Sequence, residues 1–176
     1  MFIFAIGYNT FPLALGLNRD KRNTLVTNLM HAIIFGLVQG VMFKLGSLLG
    51  ESFMYLFVER FKLAVFGILL AVSIRMGIES FKILKGARLF SFDNYIKFLI
   101  LAVAAGINTL IVGMTAEYIT PFETLMTLVL IIVGFGWSIL GLRMNLSRKN
   151  IILSSIIHII SSIIILATGL VFLFST

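Results

Sequence analysis

Cysteine is absent from this chain of 176 residues, and proline occurs only twice. Without thiols there is no disulfide framework, no thiolate nucleophile and no soft metal site. Charge is scarce as well: Asp, Glu, Lys and Arg make up 12% of the chain, against about a quarter in an ordinary soluble domain. Apolar side chains take that place, at 60% of residues and a mean hydropathy of +1.11. This is the composition of an integral membrane protein. Each spanning helix needs about 20 apolar residues, so the length has room for six helices with short links and no separate soluble domain. The net charge of +7 is read as a record of membrane orientation, not of nucleic-acid binding. No cleavable signal is expected, because the first apolar run lacks a basic leader and carries Asn9 and Pro12.

Six spans are expected, over 1–17, 24–49, 61–84, 96–116, 125–142 and 151–174. Polar side chains inside them are disfavoured unless they face protein, water or a solute, so each marks a candidate site. Gly106-Ile107-Asn108-Thr109 lies in the middle of the fourth run, and Gly7-Tyr8-Asn9-Thr10 repeats the pattern in the first. Pro12 cannot donate to the carbonyl of Tyr8, so a helix break beside Asn9 is expected, with a freed backbone oxygen next to the amide. Gln39 lies between Gly36 and Gly40, where close helix approach makes interhelical hydrogen bonding the plainer role. Lys44 is expected to snorkel, and His31 to be a hydrogen-bonded interfacial residue.

Arg75 and Glu79 stand at i and i+4, so each neutralises the other on one helix face, and a structural ion pair is the favoured reading. In the last span Ser154, Ser155, Ser161 and Ser162 bracket His158. Their hydroxyls are expected to bond their own helix carbonyls and to aid packing. Ser138 follows Gly136 and Trp137, but no nucleophile and base pair is assigned and no metal motif exists, so an enzyme is not expected.

Basic residues gather in the links around Arg19, Lys21 and Arg22, around Lys82, Lys85 and Arg88, and around Arg143, Arg148 and Lys149, while the link of Glu117 and Glu123 is acidic. By the positive-inside rule the odd links are cytoplasmic and both termini lie outside. The link at 91–94 reads as a surface turn or helix entry. Three helices per half is an odd number. The expected fold is therefore all-α, a polytopic membrane protein of two inverted three-helix repeats, 1–84 and 98–176, joined by a cytoplasmic link at 85–97.

With these residues placed, the chain resembles the MntP-type manganese efflux pumps, six-helix bacterial exporters related to the amino-acid and cation exporters of the LysE superfamily. The likeness is carried by Asn9-Thr10-Phe11 with Gly16, by the stretch from Ile34 to Gln39, by Arg75-Met76 with Ile78-Glu79 and Phe81, and by Asn108 with Val112-Gly113. It implies a secondary transporter of a bacterial inner membrane, with outward direction and manganese as cargo. The family has aspartate where this chain has Asn9 and Asn108, and glutamate where it has Gln39. Three carboxylates have become amides, and the usual charged mid-chain link is short and basic.

Manganese favours carboxylate, carbonyl and water ligands, and negative charge offsets much of its dehydration. Amide oxygens keep the geometry without the charge. The expected substrate-binding residues are Asn9, Thr10, Gln39, Asn108 and Thr109, with Asn9, Gln39 and Asn108 as the positions for a metal cargo and no resident cofactor. A carboxylate-free site also suits a monovalent, neutral or zwitterionic solute. The rival reading is a degenerate, non-transporting scaffold or partner subunit. The partners expected are the lipid bilayer and the transported ion or solute, with no nucleic acid.

Overall fold

The computed structural model describes residues 1–17, 24–85, 95–119 and 121–175. The basic turn at Arg19, Asp20, Lys21 and Arg22, most of the central link with Arg88 and Asp93, and the expected turn at 91–94 lie outside the described residues.

The chain begins with a broken helix. Pro12 has no N–H to give the carbonyl of Tyr8, so that oxygen accepts from Phe11 one residue earlier and the backbone tightens. The result is α1 (Phe2–Gly7), a 3-10 turn at Tyr8–Thr10 and α2 (Phe11–Leu17). Thr10 Oγ1 reinforces the turn by donating to the Gly7 carbonyl at 3.1 Å. The break expected at Asn9 is present, but the oxygen expected to be freed beside it is occupied by Phe11. Every residue from Ala5 to Leu17 is buried. This short segment is thus surrounded by protein and need not match the bilayer by itself.

Five longer helices follow, all long and apolar enough to cross a membrane, and Phe2–Leu17 is a shorter apolar segment beside them. Helix α3 (Leu25–Met54) starts at a Thr24 cap whose hydroxyl accepts from Thr27 N–H at 3.2 Å. It runs through Gly50 and Glu51, which the sequence reading placed in a link. No proline interrupts this stretch, and Gly50 lets the helix pass against Met114, so the helical period continues. A 3-10 segment, Tyr55–Arg60, then turns the chain at Phe57 (φ −121°, ψ 25°) into α4 (Phe61–Leu84). Next come α5 (Tyr95–Gly113), the single turn α6 (Ala116–Ile119), α7 (Glu123–Arg143) and α8 (Arg148–Phe174). Helix α5 starts at Tyr95, one residue before the expected span, so the last residues of the expected link at 85–97 are helical. The Ser147 cap of α8 accepts from Asn150 N–H at 3.3 Å.

Helix α4 packs on α8, and α3 packs on both α5 and α7, while α1 touches α7 and α8 and α2 lies on α7. Small residues set these distances. A Cβ on Gly36 would lie 2.6 Å from the carbonyl oxygen of Ile131 in α7, and Gly46 meets Gly113 of α5 backbone to backbone. Between α4 and α8 the joint is polar instead. Ser80 Oγ donates to the Ser155 carbonyl at 2.9 Å and Ser155 Oγ returns to the Ser80 carbonyl at 3.1 Å. Ser73 and Ser162 repeat this exchange one heptad away, at 3.0 and 2.8 Å. Of the four α8 serines expected to bond within their own helix, Ser155 and Ser162 instead reach the carbonyls of α4, because the two helices approach so closely. Such bonds hold helices together where water is absent.

The surface is the reverse of a soluble protein's. Ile132, Leu128, Ile163 and Val171 are among many exposed large apolar residues, while Asn9, Gln39, Asn108, Glu79 and His158 are buried. One apolar cluster, with Ile6, Phe43, Met54, Leu69, Val112, Ala116, Leu130 and Ile165, draws on α1 and on α3 to α8. A second, with Leu13, Phe35, Phe98, Ala102 and Leu142, is made by α2, α3, α5 and α7 alone.

Candidate functional site

The 3-10 turn carries Asn9 into the interior, where α5 brings Asn108 opposite it. Asn108 Nδ2 donates to Asn9 Oδ1 at 3.3 Å and to Glu79 Oε2 at 3.2 Å. Three elements therefore meet at one amide. Glu79 lies on α4 and is 5% exposed. Its other oxygen, Oε1, faces Arg75 Nε at 3.3 Å, and His158 Nε2 of α8 stands 3.6 Å from Oε2. Tyr8 covers this corner: its ring is 6.0 Å from that of His158 and 4.9 Å from Trp137, and its hydroxyl donates to the Ser154 carbonyl at 3.2 Å.

A second polar contact lies on the next residue of α5. Thr109 Oγ1 donates to Gln39 Oε1, tying α5 to α3 inside the bundle. Gln39 leans on Gly134 of α7, whose missing side chain makes the room. The Gly134 carbonyl accepts from Thr10 Oγ1 at 3.1 Å and from Ser138 Oγ at 2.7 Å. The hydroxyl of Thr10 is thus engaged with the backbone and holds the broken helix against α7. Ser138 is engaged with its own helix.

Asn9 and Asn108, read as a matched pair from sequence, are brought into contact, and Gln39 and Thr109 are brought together beside them. Arg75 and Glu79 are paired as expected, yet Glu79 also reaches the amides. The site expected to be free of carboxylate has one at its edge. Sequence reading missed Glu79 as part of this cluster, and missed His158 with it. The local i, i+4 partner gave Glu79 a sufficient explanation, and the signal that remained was an acid inside an apolar span, in the last quarter of α4. Two other polar residues differ from expectation. Lys44 does not simply snorkel: its ammonium lies 2.8 Å from Glu123, whose carboxylate also accepts from Ser47. The His31 ring lies tilted against Phe98, with centroids 4.4 Å apart, and its Nδ1 has no hydrogen-bond partner among the described residues.

Three buried amide atoms of the cluster, Asn9 Nδ2, Asn108 Oδ1 and Gln39 Nε2, have no hydrogen-bond partner among the described residues. Buried polar groups are costly in that state. Among the described residues no three His, Cys, Asp or Glu side chains converge on a metal position. A cation here would be held by amide oxygens and the single carboxylate of Glu79. Arg75, with 36% of its side chain exposed, is the half-open edge of the group.

A family model described as "Putative manganese efflux pump" matches residues 22–173. The match spans α3 to α8 and leaves out α1 and α2, so Asn9, Thr10 and Pro12 join the site through the structure. No curated protein and no solved structure matches the chain.

Proposed function

Because this chain belongs to the MntP family of membrane efflux transporters, we propose that it is a secondary exporter whose path crosses the cluster of Asn9, Asn108 and Glu79, with Gln39 and Thr109 beside it. The cargo on this reading is a metal cation, manganese by family. The observation that carries the reading is the convergence of two amides and a carboxylate, all buried, at a break in a helix that is itself enclosed by protein. Discontinuous helices of this kind bind ions at the midplane of many secondary transporters.

The reading includes two inverted repeats. Supporting it, α3 pairs with α7 and α4 with α8, as equivalent helices about a two-fold axis would. The remaining contacts also come in matched sets: α3 with α5 mirrors α7 with α2, and α4 with α5 mirrors α8 with α1. Asn9 and Asn108 then occupy equivalent positions near the axis. The bacterial inner membrane with both termini outside follows from the family and the basic links.

The experiment is flux of manganese(II), sodium and potassium from liposomes holding the purified chain, alongside growth of a manganese-sensitive strain that lacks its own exporter. Movement of one of these ions, lost in Asn108→Leu, is the expected result. A well-folded chain that moves none of them would favour the scaffold reading.

A further inference from the structure

We infer that Arg75 is a tethered counter-ion of the transport site: its guanidinium neutralises Glu79 when the site is empty and is displaced by the transported cation. The inference rests on the reading of the cluster as a cation site and goes beyond it by naming what occupies the carboxylate between turnovers.

The geometry points this way in three respects. Glu79 divides its oxygens: Oε2 faces the amide site through Asn108 at 3.2 Å, while Oε1 faces Arg75 at 3.3 Å. One carboxylate thus joins the cargo position to a fixed positive charge. The two partners are also unequally enclosed, with side-chain exposures of 36% for Arg75 and 7% for Glu79. The carboxylate is enclosed, while the long arginine side chain is partly exposed. Finally, the acceptor Asn108 Oδ1 is buried without a partner among the described residues, so the cargo side of Glu79 already offers a free amide oxygen to a cation.

The physical need is clear. A carboxylate left bare in a low-dielectric interior is disfavoured, so an empty carrier of this kind would resist any rearrangement that moves Glu79 through the membrane. Arginine keeps its charge at all accessible pH values, so it cancels Glu79 without needing a proton. With Asn at positions 9 and 108, Glu79 is the only acid the described structure brings to the cluster, and one arginine balances it. The cargo must then compete with Arg75. That competition lowers affinity but lets the empty site return.

The sign of the test separates this from a packing role. In the purified full chain, binding is read from Trp137, the single tryptophan, whose ring contacts Tyr8 at 4.9 Å, with manganese(II), sodium and potassium chlorides as probes. Arg75→Gln should tighten binding of the favoured ion by about fivefold, the factor that one modest charge interaction supplies. In liposomes it should slow net efflux far more than ion-for-ion exchange, because only net efflux needs the empty site to return. Arg75→Lys should stay near the wild type. A variant that folds with the charge absent and regains it later guards against misfolding. As the chain has no cysteine, Arg75→Cys can be labelled after purification with an ethylammonium thiosulfonate, which should weaken binding again and restore net efflux. If the wild type binds one of the ions and Arg75→Gln binds it equally or more weakly, the counter-ion is overturned while the site reading stands. If the wild type binds none, the site reading falls and this inference falls with it.

Discussion

Asn108 Nδ2 lies 3.2 Å from Glu79 Oε2, a contact that joins α5 to α4 at the point where Asn9 also arrives. Neither helix of this pair makes more than a modest contact with the other elsewhere, since α5 packs chiefly on α3 and α4 on α8. The amide to carboxylate bond is therefore a polar link between two helices that pack mainly on other partners. Its perturbation should be felt in transport before it is felt in folding.

Restoring acid at the amide positions should convert the site. Asn9→Asp with Asn108→Asp places two carboxylates beside Glu79, and like charges this close repel strongly unless a divalent ion lies between them. The double variant should melt several degrees below the wild type in metal-free detergent and recover on addition of manganese(II). It should also rescue a manganese-sensitive strain better than the unmodified chain, with membrane levels of both compared. Strong rescue by the unmodified chain would show that two amides and Glu79 suffice for manganese.

Charge removal at α4 should be non-additive. Glu79→Gln leaves Arg75 without its partner, and Arg75→Gln leaves a buried carboxylate uncompensated, whereas the double variant buries no net charge. Each single change should cost about 1–3 kcal/mol and the double change less than their sum. A double-mutant cycle on thermal stability measures the coupling, and additive losses would show that the two side chains act independently.

Pro12→Ala should close the break. The new N–H at position 12 can bond the Tyr8 carbonyl, now taken by Phe11, and the 3-10 turn would relax to a continuous α-helix. Asn9 then rotates away from Asn108. Helix content should be unchanged or slightly higher by circular dichroism while flux falls by about tenfold or more, in line with the cost of misplacing a binding group. Unchanged flux would mean that the break does not position Asn9.

The joint of α4 with α8 should accept a covalent bond. Ser80 Oγ and Ser155 Oγ are 2.8 Å apart, and cysteines at these two positions fall within disulfide reach. In this cysteine-free chain, Ser80→Cys with Ser155→Cys should oxidise rapidly within one molecule, seen by mass spectrometry of the intact protein. Replacing both serines by alanine should cost roughly 0.6 kcal/mol for each lost interhelical bond. Failure of the cysteines to pair would contradict the reciprocal seam.

Composition, hydropathy and the position of Pro12 by themselves determined that this is a helical membrane protein with a broken first helix, because those properties depend on local backbone chemistry and on the solvent each segment needs. The repeated Gly-x-Asn-Thr pattern likewise marked Asn9 and Asn108, since an amide in an apolar run is anomalous wherever it packs. Only the tertiary structure decided the partners. That Glu79 serves the amides as well as Arg75, that His158 stands beside it, and that the α8 serines bond α4 depend on which helix faces meet. Side-chain chemistry is local, but pairing is set by close approach at residues such as Gly36 and Gly46, whose lack of a side chain carries no record of the neighbour it admits.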